Sequence, residues 1–201
     1  ENAEAIDQLD KLSENLQNTV MDMRLVPLKR VIRTFPRLVR DTARDLDKEV
    51  AYETEGADVE LDRTILTEIR DPLVHIIRNS LDHGVEPPEE REAKGKPRRG
   101  TVRLEATRER DHVTISVSDD GAGLDADAIA DQAVERGVID ADERESMSDS
   151  DVYDLVFEPG FSTSEEVTDV SGRGVGMDVV KSTVTELDGS VSVDSTLGEG
   201  T

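Results

Sequence analysis

Between residues 61 and 83 the chain repeats apolar side chains at helical spacing, placing Ile65, Ile69, Leu73, Ile76, Ile77 and Leu81 on one side. This stripe constrains the fold most, because about six turns of amphipathic helix need a broad apolar surface to cover them. Residues 101–107 and 112–118 have the pattern of such a surface. Both alternate apolar and polar residues, and Glu109-Arg110-Asp111 joins them, so they read as a hairpin with one face in and one out. Further helices are expected at residues 28–46 (interrupted near Pro36), 125–136 (ended by Gly137), 151–157 and 176–187. Further strands are expected at 48–54, turned by Glu55-Gly56, and at 190–195. Loops fill 86–100 and 158–172. The plan is α+β, a two-layer sandwich of helices on a mostly antiparallel sheet.

The first 26 residues read as a separate helix. Ile6, Leu9, Leu16, Val20 and Met23 form a coiled-coil-like seam in which Ser13 is the polar member, and Pro27 stops it. One amphipathic helix cannot bury its own stripe, so this one calls for a hairpin partner or a second subunit. It has no convincing cap at Glu1 and is expected to continue upstream. The expected domains are residues 1–27, the end of a dimerisation helix, and 28–201, a globular domain whose last strand is missing.

Composition narrows the partners. Asp and Glu number 47 against 24 Lys and Arg, a net charge of −23 in 201 residues, and only six of the basic residues are Lys. Such a field repels nucleic acid and anionic lipid, so neither is expected as a partner. The acids are dispersed among periodic apolar residues, which argues against disorder or an acidic tail. Adaptation to a salt-rich cytoplasm fits better than mere acidity, because self-repulsion at this density is tolerable when screened. The unfolding midpoint should therefore rise from low to molar KCl, and a flat profile would remove the halophilic reading. Cysteine is absent, which excludes disulfides, thiolate metal sites and cysteine nucleophiles and fits a reducing cytoplasm. No apolar run approaches the ~20 residues of a membrane span, so membrane insertion is not expected.

Three motifs carry chemistry. His75, Asn79 and His83 follow one another at i, i+4 and i+8, one face of the long helix, and offer an amide oxygen and imidazole nitrogens suited to magnesium and phosphate. Alone, such a trio also fits a solvated face. Asp119-Asp120-Gly121-Ala122-Gly123 follows a strand, placing a carboxylate where a ligand can come close and where an adenine amino group could be selected. Alone, it also fits a calcium-like loop or a plain turn. Gly172-Arg173-Gly174-Val175-Gly176-Met177 opens a helix whose N-terminal amides can bind phosphate. It does not follow a strand, so it is not the dinucleotide fingerprint. The flexible stretch before it reads as a lid, with Phe157 and Phe161 able to pin it down. The basic run Lys94-Gly95-Lys96-Pro97-Arg98-Arg99 reads as a solvated loop. Arg78, Arg173 and Lys181 are the cations available to an anionic ligand.

In this order, and with the closing Gly198-Glu199-Gly200-Thr201, the motifs resemble the nucleotide-binding fold shared by histidine kinases, DNA gyrase, the Hsp-type chaperone ATPase and MutL. The stretches 75–91, 157–163 and 170–181, with the segment 23–41, are similar to the chemotaxis histidine kinases of the CheA type. This resemblance implies ATP and Mg2+ as cofactors. It implies that Asn79 coordinates magnesium, that His75 assists phosphoryl transfer or positions the γ-phosphate, and that Arg78 and His83 lie near the phosphates. It implies that Asp119 rather than Asp120 holds the adenine amino group, while Gly121 and Gly123 shape the base pocket. Ser162, Thr163, Gly172, Arg173, Gly174, Val175 and Gly176 would line lid and phosphates, Met177 would pack near the base, and Gly200 and Thr201 would close the far wall.

Residues 1–26 contain no histidine, and His112 reads as a surface residue. The phosphoacceptor is therefore expected on a separate phosphotransfer domain. The resemblance further implies a homodimer through the N-terminal helix, a C-terminal regulatory domain, response regulators, an adaptor and chemoreceptors. A gyrase- or MutL-type ATPase module and a non-catalytic dimerisation scaffold are the competing readings. His75, standing where the gyrase-like ATPases carry a glutamate, argues against the first, and the intact motifs argue against the second.

Overall fold

The computed structural model describes residue 11 and residues 24–159, 161 and 176–201. In chain order the elements are β1 (Leu25–Pro27), α1 (Lys29–Ile32), α2 (Phe35–Asp45), β2 (Val50–Glu55), β3 (Glu60–Asp62) and α3 (Arg63–Asn79), which runs into a π turn (Ser80–Gly84). They continue with α4 (Pro88–Ala93), β4 (Gly100–Arg108), β5 (Val113–Asp119), α5 (Ala126–Glu135), α6 (Ala141–Ser146) and α7 (Asp149–Asp154). A 3-10 turn (Leu155–Phe157) and α8 (Met177–Glu186) complete the described elements.

The expected helix-on-sheet core is present. Along β4 the buried positions alternate, and Val102, Leu104 and Ala106 face Leu66, Leu73 and Ile77 of α3 and Leu81 beyond it. Phe35 and Val39 of α2 close the same core. At about 25 cal/mol per Å2 of apolar surface, side chains of this size contribute roughly 1.5–3 kcal/mol each, so this layer dominates the fold's stability. A second cluster gathers Ile129, Ala130 and Ala133 of α5 with Val152, Tyr153, Leu155 and Phe161. Phe157 and Phe161 are both buried, and the Arg136 guanidinium lies over the Phe161 ring at 5.7 Å.

Several boundaries depart from the sequence reading. The sheet β2-β4-β5 is mixed: β2 pairs with β4 in parallel, whereas β4 and β5 form the expected antiparallel hairpin. Residues 25–27, expected at the end of the first helix, are a strand antiparallel to β3, which buries Val26 in the main core. The remainder of that helix lies outside the described residues, Lys11 excepted, which is helical. Within 61–83 the helix starts only at Arg63, where the Asp62 carboxylate accepts the Thr64 amide at 2.7 Å and so caps it. Residues 88–93, expected as loop, form α4, favoured by Pro88 at its start and by Glu89 and Glu90 at the positive end of its dipole. Residues 190–195 form no ladder. Their part of the chain is held by a single bridge, Thr196 to Gly200, while the Asp119 amide at the end of β5 donates to Thr201 O at 2.8 Å.

Candidate nucleotide site

The C-terminal end of α3 is where the separated motifs meet. There the helix widens: Val85 N donates to Ser80 O across five residues, at 2.7 Å. Lys48 caps the widened turn, donating to Leu81 O at 2.6 Å and Asp82 O at 2.8 Å. Burial lowers the Lys48 ammonium, against the pull of Asp82, Glu90 and Glu86. His75 and Asn79 lie on α3, and His83 follows, exposed, on the π turn.

Asp119 stands against this turn. Burial raises its carboxyl above the ordinary carboxylate range; the Gly121 amide, donating to it at 3.0 Å, and the neighbouring Ser80 hydroxyl oppose that rise. The surrounding backbone comes so close that side chains are excluded. A Cβ at Gly84 would lie 2.7 Å from Asp119 Oδ2, and one at Gly121 would overlap Gly84 O. Gly200, with φ at 131°, presses on the Asp119 carbonyl, and Gly123 (φ 70°) lies against Thr196 O. Thr201 Oγ1 meets Ser195 Oγ at 3.0 Å, and Ser195 Oγ also accepts the Leu124 amide at 2.7 Å. Asp119 opens into a cavity of about 400 Å3 shared with Ser150, Tyr153, Ser195, Thr196 and Thr201 and with the acids Asp194 and Glu199. Hydroxyls and carboxylates are acceptor-rich walls, which suit an amino-bearing ring rather than a phosphate.

A second group lies on α3 facing α8. Asn79 Nδ2 donates to Met177 Sδ at 3.2 Å, joining two predicted site residues 98 positions apart. Its Oδ1 has no protein donor among the described residues. Gly176 caps α8 with extended backbone, next to the Asp178 carboxylate. His75 is half-buried; desolvation and the neighbouring Arg78 charge lower its imidazole below the usual value, while Asp178 pulls the other way. The ring is thus favoured in its neutral, proton-accepting form near neutral pH. Arg78 Nε is buried without a hydrogen-bond partner among the described residues. An orphaned guanidinium nitrogen and an amide oxygen without a donor, on successive residues of α3, fit an anionic ligand carrying a cation.

Asn79 does not line the Asp119 cavity. The two groups are joined through α3 and the turn that follows it, since Asn79 reaches α8 and Gly84 packs against Asp119. Lys181, at the surface, donates to Glu158 Oε1 at 3.2 Å. Ser162, Thr163, Gly172, Arg173, Gly174 and Val175 lie outside the described residues.

Residues 68–201 match the family described as histidine kinase-, DNA gyrase B- and HSP90-like ATPases. The chain belongs to that ATPase family. Within it, the chain is 64% identical over 196 residues to the chemotaxis protein CheA of Halobacterium salinarum and 49% identical over 197 residues to CheA of Bacillus subtilis. Each alignment takes in 98% of this chain and 29% of the relative. The sensor histidine kinase CheAY of Helicobacter pylori is 47% identical, with 98% of this chain and 25% of that protein aligned. The chain thus spans less than a third of the length of these relatives. Among solved structures, the catalytic domain of histidine kinase ThkA shares the family's fold at a TM-score of 0.52 and 15% identity, with 88% of each chain covered. The α+β sandwich and the CheA-type resemblance expected from the motifs are both borne out.

The ATPase fold also contains a part that the motifs did not announce. Arg91, wholly buried, donates from Nε to Pro97 O at 2.8 Å, from NH1 to Glu86 Oε2 at 3.1 Å and Asp120 O at 3.0 Å, and from NH2 to Asp120 Oδ2 at 3.0 Å. Lys96 Nζ reaches Glu86 Oε1, Asp120 O and Gly121 O at 3.0, 3.1 and 2.6 Å. Burial opposes ionisation of Glu86, yet its backbone amide, Lys96 and Lys94 together hold the carboxyl below its usual range. The run 94–99 is therefore only partly a solvated loop: Arg98 is exposed, but Lys96 is built into the Asp120 turn. Part of the signal was available in the sequence, since Glu86 is followed by two bases, Arg91 and Lys96, at spacings of five; what it could not show is that Asp120 completes the set.

Proposed function

We propose that this chain binds magnesium-ATP and delivers the γ-phosphoryl group to a histidine on a separate phosphotransfer domain, as part of a chemotaxis kinase of the CheA type. One observation supports it above the others. The end of α3 engages the two other motifs: Asn79 contacts Met177 at the start of α8, and Gly84, closing the turn that follows, packs against the Asp119 carboxylate.

In this reading the Asp119 carboxylate accepts the adenine 6-amino group, in a cavity whose other walls are hydroxyls and acids. Asn79 Oδ1 would hold the magnesium ion, which supplies charge neutralisation on the phosphates. A cation bound mostly by phosphate and water needs one or two protein oxygens, and among the described residues no group of three or more acids or histidines gathers to hold a metal. Arg78 offers its unpaired Nε to a phosphate oxygen, and the α8 N-terminus presents amides and the positive end of its dipole. His75, kept neutral, can accept a hydrogen bond or position the γ-phosphate. Phosphoryl transfer depends on such placement and charge neutralisation more than on covalent work by the protein.

The dimer through the N-terminal helix, the response regulators, the adaptor and chemoreceptors, and a cytoplasmic location belong to the same proposal. Among the described residues no helix is long and apolar enough to cross a membrane. The test is titration of ATP with and without magnesium in high KCl, followed by transfer of labelled phosphate to the phosphotransfer domain of a CheA-type protein. Asn79→Ala should keep magnesium-free nucleotide binding and lose transfer by about 100-fold or more, the scale of a lost charge-stabilising group. Normal labelling of the acceptor by this variant would end the magnesium role. Rapid ATP hydrolysis without any acceptor would favour a gyrase-type ATPase instead.

A further inference from the structure

Lys96 and Arg91 grip a peptide unit whose far end touches Asp119. The carbonyl of Asp120 accepts from Arg91 NH1 at 3.0 Å and from Lys96 Nζ at 3.1 Å. The same planar unit carries the Gly121 N–H, which points to the opposite side and donates to Asp119 Oδ1 at 3.0 Å. Two cations on the oxygen therefore fix the direction of the amide hydrogen. They also polarise the peptide and strengthen that hydrogen as a donor. Lys96 holds the next unit as well, through Gly121 O at 2.6 Å. Asp120 adds a side-chain clamp, since its Oδ1 accepts the Thr101 amide at 2.8 Å and its Oδ2 accepts Arg91 NH2. No rearrangement that keeps Gly121 where it is can admit a larger residue, because its Cβ would overlap Gly84 O.

We infer that Lys96, with Arg91 beneath it, is a positioning residue for base selection, acting on the Asp119 carboxylate through the 120–121 peptide rather than by touching nucleotide. This deepens the proposed function and rests on it. A carboxylate held in one orientation accepts from the 6-amino group of adenine and faces the 6-oxo group of guanine as one acceptor against another. A carboxylate free to turn loses that contrast. A residue that merely stabilised the fold would lower the populated native state for both nucleotides alike and leave their ratio unchanged.

The experiment compares magnesium-ATP and magnesium-GTP dissociation constants for the 201-residue chain, Lys96→Met, Lys96→Gln and Arg98→Gln, together with urea midpoints. Lys96→Met should bind ATP about tenfold more weakly with GTP little changed, so that the preference for ATP falls by about the same factor, the worth of one charge-assisted hydrogen bond. Lys96→Gln, which keeps an amide donor but no charge, should lose about threefold and is the readable variant if the methionine form does not fold. Arg98→Gln removes one charge from the same run, where Arg98 pairs with exposed Glu49, Glu89 and Glu92. It should keep the preference within about twofold, which separates local positioning from the general field. A wild-type preference retained in every folded Lys96 variant overturns the inference. A parent chain that never distinguishes ATP from GTP overturns the adenine role of Asp119 instead.

Discussion

Asp119→Asn should abolish most adenine-nucleotide binding, by about 100-fold or more, while leaving the protein at least as stable as its parent at neutral pH. The substitution replaces an oxygen acceptor with an NH2 donor on a group that has little room to turn: Gly84, Gly121 and Gly200 all crowd Asp119. Half of the amide oxygen's role survives, since Oδ1 can still accept the Gly121 N–H. The stability gain follows from the direction of the pKa. Burial raises the folded carboxyl above its unfolded value, so the native state holds its proton more firmly than the unfolded chain does. The stability that this group contributes is complete below the unfolded value and is lost as pH rises through the raised folded one. Asn has no proton to lose. The stability difference between variant and parent should therefore widen as pH is raised from the acid range through the carboxylate range towards neutrality. Urea midpoints across that range, with ATP titrations at neutral pH, check both halves. Unchanged ATP affinity would discard the base-binding role.

The largest loss of stability is expected at Arg91. Its side chain is 1% exposed and faces a Glu86 side chain that is 4% exposed, with Asp120 and Pro97 O as further partners. Removing one member of a buried pair leaves the other charged without full compensation, which costs about 3–5 kcal/mol. Arg91→Ala should thus lower the unfolding free energy by that amount in urea titration, and nucleotide binding should fall with it because Asp120 is released. Arg91→Lys should recover only part of the loss, since an ammonium cannot supply the divergent Nε, NH1 and NH2 donors at once. Loss of no more than a surface pair's worth would mean that the network does not anchor the turn. The comparison with Arg98, seven residues on but exposed, shows why location and not charge decides the outcome.

Much of this was legible because it is local. The stripe through Ile65, Leu73 and Ile77 and the alternation through Val102 and Leu104 are periods of 3.6 and 2, and such periods place side chains on faces whatever lies opposite. Gly121, Gly123 and Gly137 announced tight or left-handed backbone, and the latter two have φ near 70°. The strand expected at 190–195 forms no ladder: alternation gives a segment two faces but no partner in register, and at the outer edge of β5 the Asp119 amide is met by Thr201 instead. The parallel pairing of β2 with β4 was equally hidden, since alternation fixes a strand's faces but not the direction of its neighbour.

The order of its motifs carried the sequence as far as the family resemblance, and its periodicity as far as the helix-on-sheet plan, because both are properties of the chain taken in line. The resemblance favoured Asp119 over Asp120, but only the tertiary structure gives a physical reason for the difference. Asp120 is consumed by Arg91 and the Thr101 amide, whereas Asp119 remains open to the cavity. That outcome depends on groups far along the chain satisfying polar atoms, a balance that spacing within one segment cannot express.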